Sequence, residues 1–281
     1  METTLWVDCF IHKFAMLYSK IPSFLLFNNR YNVCFSYDID GKLLLDFSKC
    51  EYYFNLLMEQ YGIKRTIIDR SDLTFQKQLI LPCDSFFFPY SKQNYLKYHM
   101  EHFIILKKFY NGNYFVIDDN PIYNEWLSKE IIDKSYEYFH NQIYRYEPAT
   151  RELTTSEALS FFKLTWSSPK LDLSDFINDV ITGSIYKDKA LLIIEEARVY
   201  LKRYNAIENC AFDLMVYGYD TTSVMKAARQ YTDELTFLSN LASIGLRTPD
   251  KYIIRIKSRL CKLRTLEYNL YEETEKMMRK I

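Results

Sequence analysis

A single dipeptide, Asn111-Gly112, constrains this chain more than any other feature. It sits between two β-rich runs, His102–Phe109 (HFIILKKF) and Tyr114–Ile117 (YFVI). Asn and Gly both tolerate the positive φ that a two-residue type I′ turn requires, and that turn matches the twist of the strands it joins. An antiparallel hairpin is therefore expected here, and it has a chemical consequence. His102 opens the first run nine residues before Asn111, and Asp118 follows the second run seven residues after it. The start of one strand should meet the end of the other, so His102 should neighbour a carboxylate at 118 or 119. Side chains alternate between faces, so only one of these two acids can share the face of His102.

The remaining periodicity divides the chain. In CFIHKFAMLYSK, Phe10, Phe14 and Leu17 fall at i, i+4 and i+7. This predicts a helix over residues 9–20, with Asp8 as N-cap and Pro22 beyond its end. Residues 48–61 predict a second helix, with Ser48 and Glu51 as a capping box and Gly62 just past its C-terminus. Ile63–Ile68 and Ile143–Tyr146 read as strands, and Gln78–Phe88 is an apolar run broken by Pro82. After about residue 150 strand signals fade. Thr155, Ser156 and Glu157 open a helix, and 187–204, 222–241 and 251–280 carry long helical patterns. PATRELTT, residues 148–155, is the expected boundary. The order predicts an α+β domain over 1–150 followed by a helical domain over 151–281.

Composition excludes more than it identifies. Lys plus Arg and Asp plus Glu each number 36, so the formal net charge is zero. A chain that binds nucleic acid or an anionic membrane as its main task would carry a basic excess, so neither partner is expected. No run approaches the roughly 18 apolar residues of a membrane span. METTLWVDCFIHKF lacks the basic lead and apolar core of a leader, which predicts an unprocessed cytoplasmic protein. Cys9, Cys34, Cys50, Cys83, Cys210 and Cys261 are scattered without CxxC spacing, so neither a zinc site nor a redox pair is signalled. P-loop, dinucleotide and Ser-elbow motifs are missing too.

Among the cysteines, Cys9 is singled out by its place at the expected start of the first helix. There the helix dipole and a nearby imidazolium would favour a thiolate, and the Cys9 N–H could meet an oxyanion. A buried thiol at a helix start is the plainer reading of Cys9 alone, as a backbone-bonded strand end is of His102. His12, one turn beyond Cys9, reads as a solvent-side residue, His99 as a loop residue, and His140 is isolated.

The segment CDSFFFPYSKQNYLKYHMEHFIILKKFYNGNYFVIDDNP, residues 83–121, resembles the core of the butirosin-type acyltransferase family. The matching positions are Asp84, Pro89-Tyr90, Tyr95, His102 and Asp118. DCFIHKFAMLYSKI and the later F-x-Y run of Phe35 and Tyr37 are similar to that family's opening, and the resemblance covers roughly residues 5–125. Where the family carries a Gly-rich stretch before F-x-Y, this chain has NNRYNVC. The family is related to papain-like peptidases, and its namesake moves an acyl group from a carrier-protein thioester to an amine.

The resemblance implies a papain-like fold, with a Cys-bearing helix on an antiparallel sheet and a helical C-terminal region. It implies Cys9 as nucleophile, His102 as general base and Asp118 as the orienting acid. It also implies an acyl or peptidyl carrier protein as partner, an amine as acceptor, and no cofactor beyond the phosphopantetheine thioester the carrier brings. A peptidase or amidohydrolase using the same triad, and an inactive carrier-binding module, are the alternatives. For the carrier, basic docking surfaces are expected at Arg198, Lys202 and Arg203 and at Arg255, Lys257, Arg259, Lys262 and Arg264. Solvated helix faces are the plainer reading of both clusters.

Overall fold

The structure, a computed structural model, describes residues 4–30, 34–37, 43–46, 48–69, 78–119, 121–137, 143–168, 173–196 and 201–281. The elements run α1 (Thr4–Leu17), α2 (Ser23–Phe27), β1 (Cys34–Tyr37), β2 (Leu43–Asp46), α3 (Ser48–Gln60), β3 (Arg65–Ile68) and β4 (Leu79–Asp84). A 3₁₀ turn at Ser85–Phe87 precedes β5 (Glu101–Tyr110), β6 (Asn113–Asp119), β7 (Ile122–Ser128), α4 (Lys129–Glu137) and β8 (Ile143–Tyr146). Helices follow: α5 (Thr155–Thr165), α6 (Leu173–Thr182), α7 (Lys187–Glu196), α8 (Leu201–Val216), α9 (Thr222–Gly245) and α10 (Pro249–Met278). The architecture is α+β, with an antiparallel sheet before residue 150 and helices after it. No helix among the described residues is long and apolar enough to cross a membrane.

The chain forms two compact units, each made of two segments. Met1–Ile21 joins Met58–Glu152, and Pro22–Leu57 joins Leu153–Ile281. The divisions fall after Ile21, after Leu57 and after Glu152. Pro22–Leu57, expected within the first domain, belongs by its contacts to the unit that holds the C-terminal helices.

The first unit is built on a six-stranded antiparallel sheet of order β3-β8-β4-β5-β6-β7. Its β5–β6 hairpin closes through Asn111 (φ 46°) and Gly112 (φ 73°), with Tyr110 paired to Asn113. Lys108 pairs with Phe115 and Leu106 with Val116, so Lys107 is an extra residue, a β-bulge. One face of the hairpin buries Ile104, Leu106, Tyr114 and Val116 against Leu79, Leu81, Phe88 and Ile132 of α4. Each such side chain contributes about 1.5–3 kcal/mol on burial. Phe103 instead meets Phe10 of α1 edge-on at 5.7 Å. Phe10 and Phe14 also pack against Tyr146, at 5.8 and 5.4 Å.

Two expectations are corrected here. Strand β4 runs through Pro82 rather than breaking at it. β8 pairs with β4 only at Ile80, so Pro82 needs a partner on the β5 side alone, where it faces Phe103. Helix α1 starts at Thr4, not at Cys9, and ends at Leu17. Leu5, Trp6 and Val7 carry the helix backward, so Asp8 lies inside it and is not its cap.

Past α3, Gly62 (φ 62°) sits in the left-handed region as expected. The Ile63 N–H reaches Met58 O at 2.9 Å and the Gly62 N–H reaches Glu59 O at 3.1 Å, a Schellman closure. A Cβ at Gly62 would stand 2.0 Å from Thr150 Oγ1, so glycine is needed for space as well as for φ.

In the second unit, α2 buries Phe24, Leu25, Leu26 and Phe27. The Phe24 N–H donates to Asp213 Oδ2 of α8 at 2.8 Å, and its ring meets Phe162 of α5 edge-on at 5.3 Å. α8, α9 and α10 pack in succession around Ile207, Leu214, Val224, Tyr231, Leu238, Ile256 and Leu260, all buried. β1 and β2 form a separate two-stranded antiparallel pair, which carries Phe35 and Tyr37 of the F-x-Y run. The capping box at the start of α5 is made by Thr154 with Glu157, one residue before the expected opening.

Candidate active site

Three elements of the first unit bring the chemistry together. Cys9 and Lys13 stand one turn apart on α1, beside the Phe10–Phe14 stripe that grips the sheet. His102 lies two residues before Ile104 on β5, and Asp118 two after Val116 on β6. The bulge fixes this pairing. Because Ile105 faces Ile117, continuing the register sets Ile104 opposite Asp118, and Asp118 shares the face of His102. An unbulged ladder would have put Asp119 there instead.

The imidazole and the carboxylate meet directly, with His102 Nε2 2.7 Å from Asp118 Oδ2. Tyr90 O–H donates to the same oxygen at 3.0 Å, and Lys13 Nζ donates to Asp118 Oδ1 at 2.8 Å. Lys13 Nζ also donates to Asp119 Oδ1. Tyr90 is held in place by stacking on Tyr123 at 4.0 Å and on Phe88 at 5.3 Å.

Burial alone would push the Asp118 carboxyl up. Its hydrogen bond and charge interaction with His102, together with Lys13, outweigh burial and hold it below the usual value. For His102, burial pushes the imidazole down. Hydrogen bonding and charge interaction with Asp118 and with the Cys9 side chain outweigh that and raise it. An ionised Asp118 can only accept, so His102 presents Nε2–H to it, which leaves Nδ1 to exchange a proton elsewhere.

A second thiol lies nearby. Cys83 pairs with His102 across β4 and β5, and its Sγ donates to His102 O at 3.3 Å. Burial pushes this thiol far up, with the Asp118 carboxylate adding to the effect, so Cys83 remains a neutral thiol. Tyr90 is likewise pushed up by burial, then by Asp118, so its hydroxyl stays a donor. Cys9, only half-buried, is the thiol with access to solvent here.

The extension of α1 changes the role of its dipole. Cys9 lies past the first turn, where the macrodipole is weak, and its N–H belongs to the interior helix ladder. The expected help from a helix start, and an oxyanion contact through the Cys9 N–H, do not follow from this geometry. The neighbour the Cys9 side chain does have is the His102 imidazole, with which it hydrogen-bonds.

Of the other residues singled out, His12 is exposed and His140 lies outside the described residues. His99 is more than a loop residue: its ring stacks on Phe86 at 4.1 Å, and its Nδ1 is 2.6 Å from Asp84 Oδ2. Asp84 Oδ1 accepts from the Phe86 and Met100 N–H groups, each at 3.0 Å, so it shapes the turn before β5. Tyr95, Leu96, Tyr98 and Met100 are exposed, so the aromatic run over 86–98 divides between core and solvent.

The basic clusters read differently now. Arg198 lies outside the described residues, as do the side chains of Lys202 and Arg203. Arg259 and Lys262 both pair with Glu234, and Arg264 donates to Asn178 Oδ1 at 2.6 Å. Among the described residues, no group of three His, Cys, Asp or Glu could hold a metal ion.

Lys13 was not legible as a site residue beforehand. Its one signal is a cation one turn after Cys9 among apolar neighbours. Tyr90 entered only through the resemblance. Compared with known proteins, the sequence matches no family model and no curated protein.

Proposed function

We propose that this chain is a cysteine-dependent acyltransferase of papain-like architecture that makes an amide from a carrier-bound thioester. The observation that carries the reading is the 2.7 Å bond from Asp118 to an imidazole on which the Cys9 side chain also acts. The chain order Cys, His, Asp and the resemblance over residues 5–125 support the transfer reaction.

In the proposed cycle, the Cys9 thiolate attacks the carbonyl of an acyl-phosphopantetheine presented by an acyl or peptidyl carrier protein. The carbon–sulfur bond to phosphopantetheine breaks, and His102 gives its proton to the leaving thiol. The acyl group now sits on Cys9. An amine attacks it, and His102 accepts the amine proton as the bond to Cys9 breaks. Amide and free carrier thiol leave, and the thiolate–imidazolium pair is restored. Asp118 keeps Nε2–H oriented and stabilises the imidazolium throughout. The reaction needs no nucleotide, because the thioester is already activated, and it belongs in the cytoplasm with its carrier.

Intact-protein mass spectrometry with acyl-loaded carriers tests this. Wild type should gain the mass of the acyl group, and Cys9→Ala should gain none. Equal adducts on both would remove Cys9 from the reaction. Adding an amine should discharge the acyl-enzyme to amide. Rapid discharge to free acid with or without amine would establish a hydrolase. Full biological activity in Cys9→Ser would leave only a binding module.

A further inference from the structure

Lys13 takes no part in the transfer cycle as written, yet it is buried in the middle of it. Its side chain is 1% exposed, and its ammonium divides between Asp118 and Asp119. Lysine is almost never this buried unless paired. A buried ion pair is a weak source of stability, since well-packed apolar residues usually hold a fold as firmly. Stability therefore explains Lys13 poorly, and its partners suggest something else. Asp118 Oδ1 goes to Lys13 while Asp118 Oδ2 goes to His102 and Tyr90. The cation and the imidazole compete for one carboxylate.

We infer that Lys13 is a positioning residue that meters how much of the Asp118 charge His102 feels, with Asp119 as the counterweight that draws Lys13 away. The inference rests on the proposed role of His102. Several titratable and charged groups among the described residues face this cluster. On α1 they are Cys9 and Lys13, and on β6 Asp118 and Asp119. On β4 Cys83 is a neutral thiol, and Asp84 is bonded to His99 and backbone and pairs across the ladder with Glu101 of β5. Tyr90, from the turn, is a neutral donor. Lys13 thus meets the carboxylate of the Asp118–His102 pair directly.

The device gives two opposite expectations. Without Lys13, Asp118 acts undivided on His102, and the imidazole binds its proton more tightly. Without the Asp119 charge, Lys13 gives more of itself to Asp118, and the imidazole binds its proton less tightly. Loss of either charge also acts on His102 directly through space, so the coupling between the two substitutions is what marks Lys13 as the intermediary.

The test is an NMR titration of isotope-labelled histidine in the full chain carrying Cys9→Ala, with the His102 signal assigned by His102→Gln. Lys13→Met should raise the His102 midpoint by about one pH unit, a tenfold gain in proton affinity. Asp119→Asn should lower it, and lower it less when Lys13→Met is also present, because the two groups are coupled. Unchanged midpoints, or shifts of the same sign, overturn the inference. If Lys13→Met does not fold by circular dichroism, Lys13→Gln takes its place in the same cycle, and additive shifts count against the inference. The titration uses no substrate. Failure of acyl transfer would leave these shifts standing, and absent shifts would leave acylation of Cys9 untouched.

Discussion

Each unit buries a carboxylate against at least one cation, and the two clusters differ in what the remaining contacts are. In the helical unit, Glu234 on α9 is 5% exposed and bonds Arg259 at 3.2 Å and Lys262 at 2.6 Å from α10. Both cations keep part of their side chain in water, and Arg259 also lies over Phe237 at 4.5 Å. In the sheet unit, Asp118 is 1% exposed, its cation Lys13 is fully buried, and its other oxygen is given to an imidazole and a phenol. The Glu234 cluster ties two helices together at modest desolvation cost. The Asp118 cluster keeps the carboxylate and its cation dry and spends one oxygen on a group that can exchange a proton. Similar charges build a clamp between helices in one place and a buried carboxylate–imidazole pair in the other.

That contrast is broken or sharpened by matched substitutions. Asp118→Asn should lower turnover by about 10²–10⁴-fold, because an amide no longer fixes the tautomer or stabilises the imidazolium. Asp119→Asn should cost only a few-fold. Steady-state kinetics of the two variants checks this, and a larger loss at 119 would mean the bulge does not set the register.

Tyr90→Phe removes one hydrogen bond to Asp118 while keeping its stack on Tyr123. About 1 kcal/mol, or roughly fivefold in kcat/KM, is expected. Glu234→Gln should leave kcat/KM per folded molecule unchanged and lower unfolding stability by about 1–2 kcal/mol in urea melts, since its cations can turn to water.

The smallest effect is on pH dependence. Asp118 is depressed from 3.8, so its share of stability is present above that value and lost as pH falls through the lower folded pKa. His102 is raised from 6.5, so its share is present below that value and lost as pH rises through the higher folded pKa. The thermal stability difference between wild type and the Asp118→Asn, His102→Gln double variant should be greatest between these values and narrow on both sides. For Glu234→Gln no such two-sided narrowing is expected.

Local chemistry made the hairpin legible, because Asn-Gly states its own turn. It also brought His102 to a choice of two acids, and there it stopped. The choice turns on Lys107, and nothing in ILKKFY announces an extra residue. A bulge is selected by how the strand fits its core, and here it lets Ile104, Leu106, Tyr114 and Val116 share one face. The start of α1 was misplaced because apolar periodicity locates a face better than an end. Lys13 was hidden for the opposite reason. Its partners lie 105 and 106 residues away, and only tertiary structure makes a helical lysine into a buried one. Of the helices after residue 150, α5, α7, α9 and α10 were readable from period, whereas α6 and most of α8 were not, nor that Pro22–Leu57 would join them. Phe24–Phe27 looks the same in sequence whichever core receives it.

The interleaving of the two units has a consequence for how the chain comes to life. A ribosome delivers Pro22–Leu57 well before any part of Leu153–Ile281 exists. The apolar turn Phe24–Phe27 must wait, uncovered, for α5 and α8 to emerge, while the sheet unit already has all its parts at Glu152. Cutting the gene at 152 therefore cannot yield two self-sufficient pieces. The leading fragment would carry a complete sheet unit and an orphaned hydrophobic segment, and the trailing fragment would be helices with a missing plug. Such halves should be insoluble apart and recover by complementation when co-expressed, as two parts of one garment cut along the wrong seam.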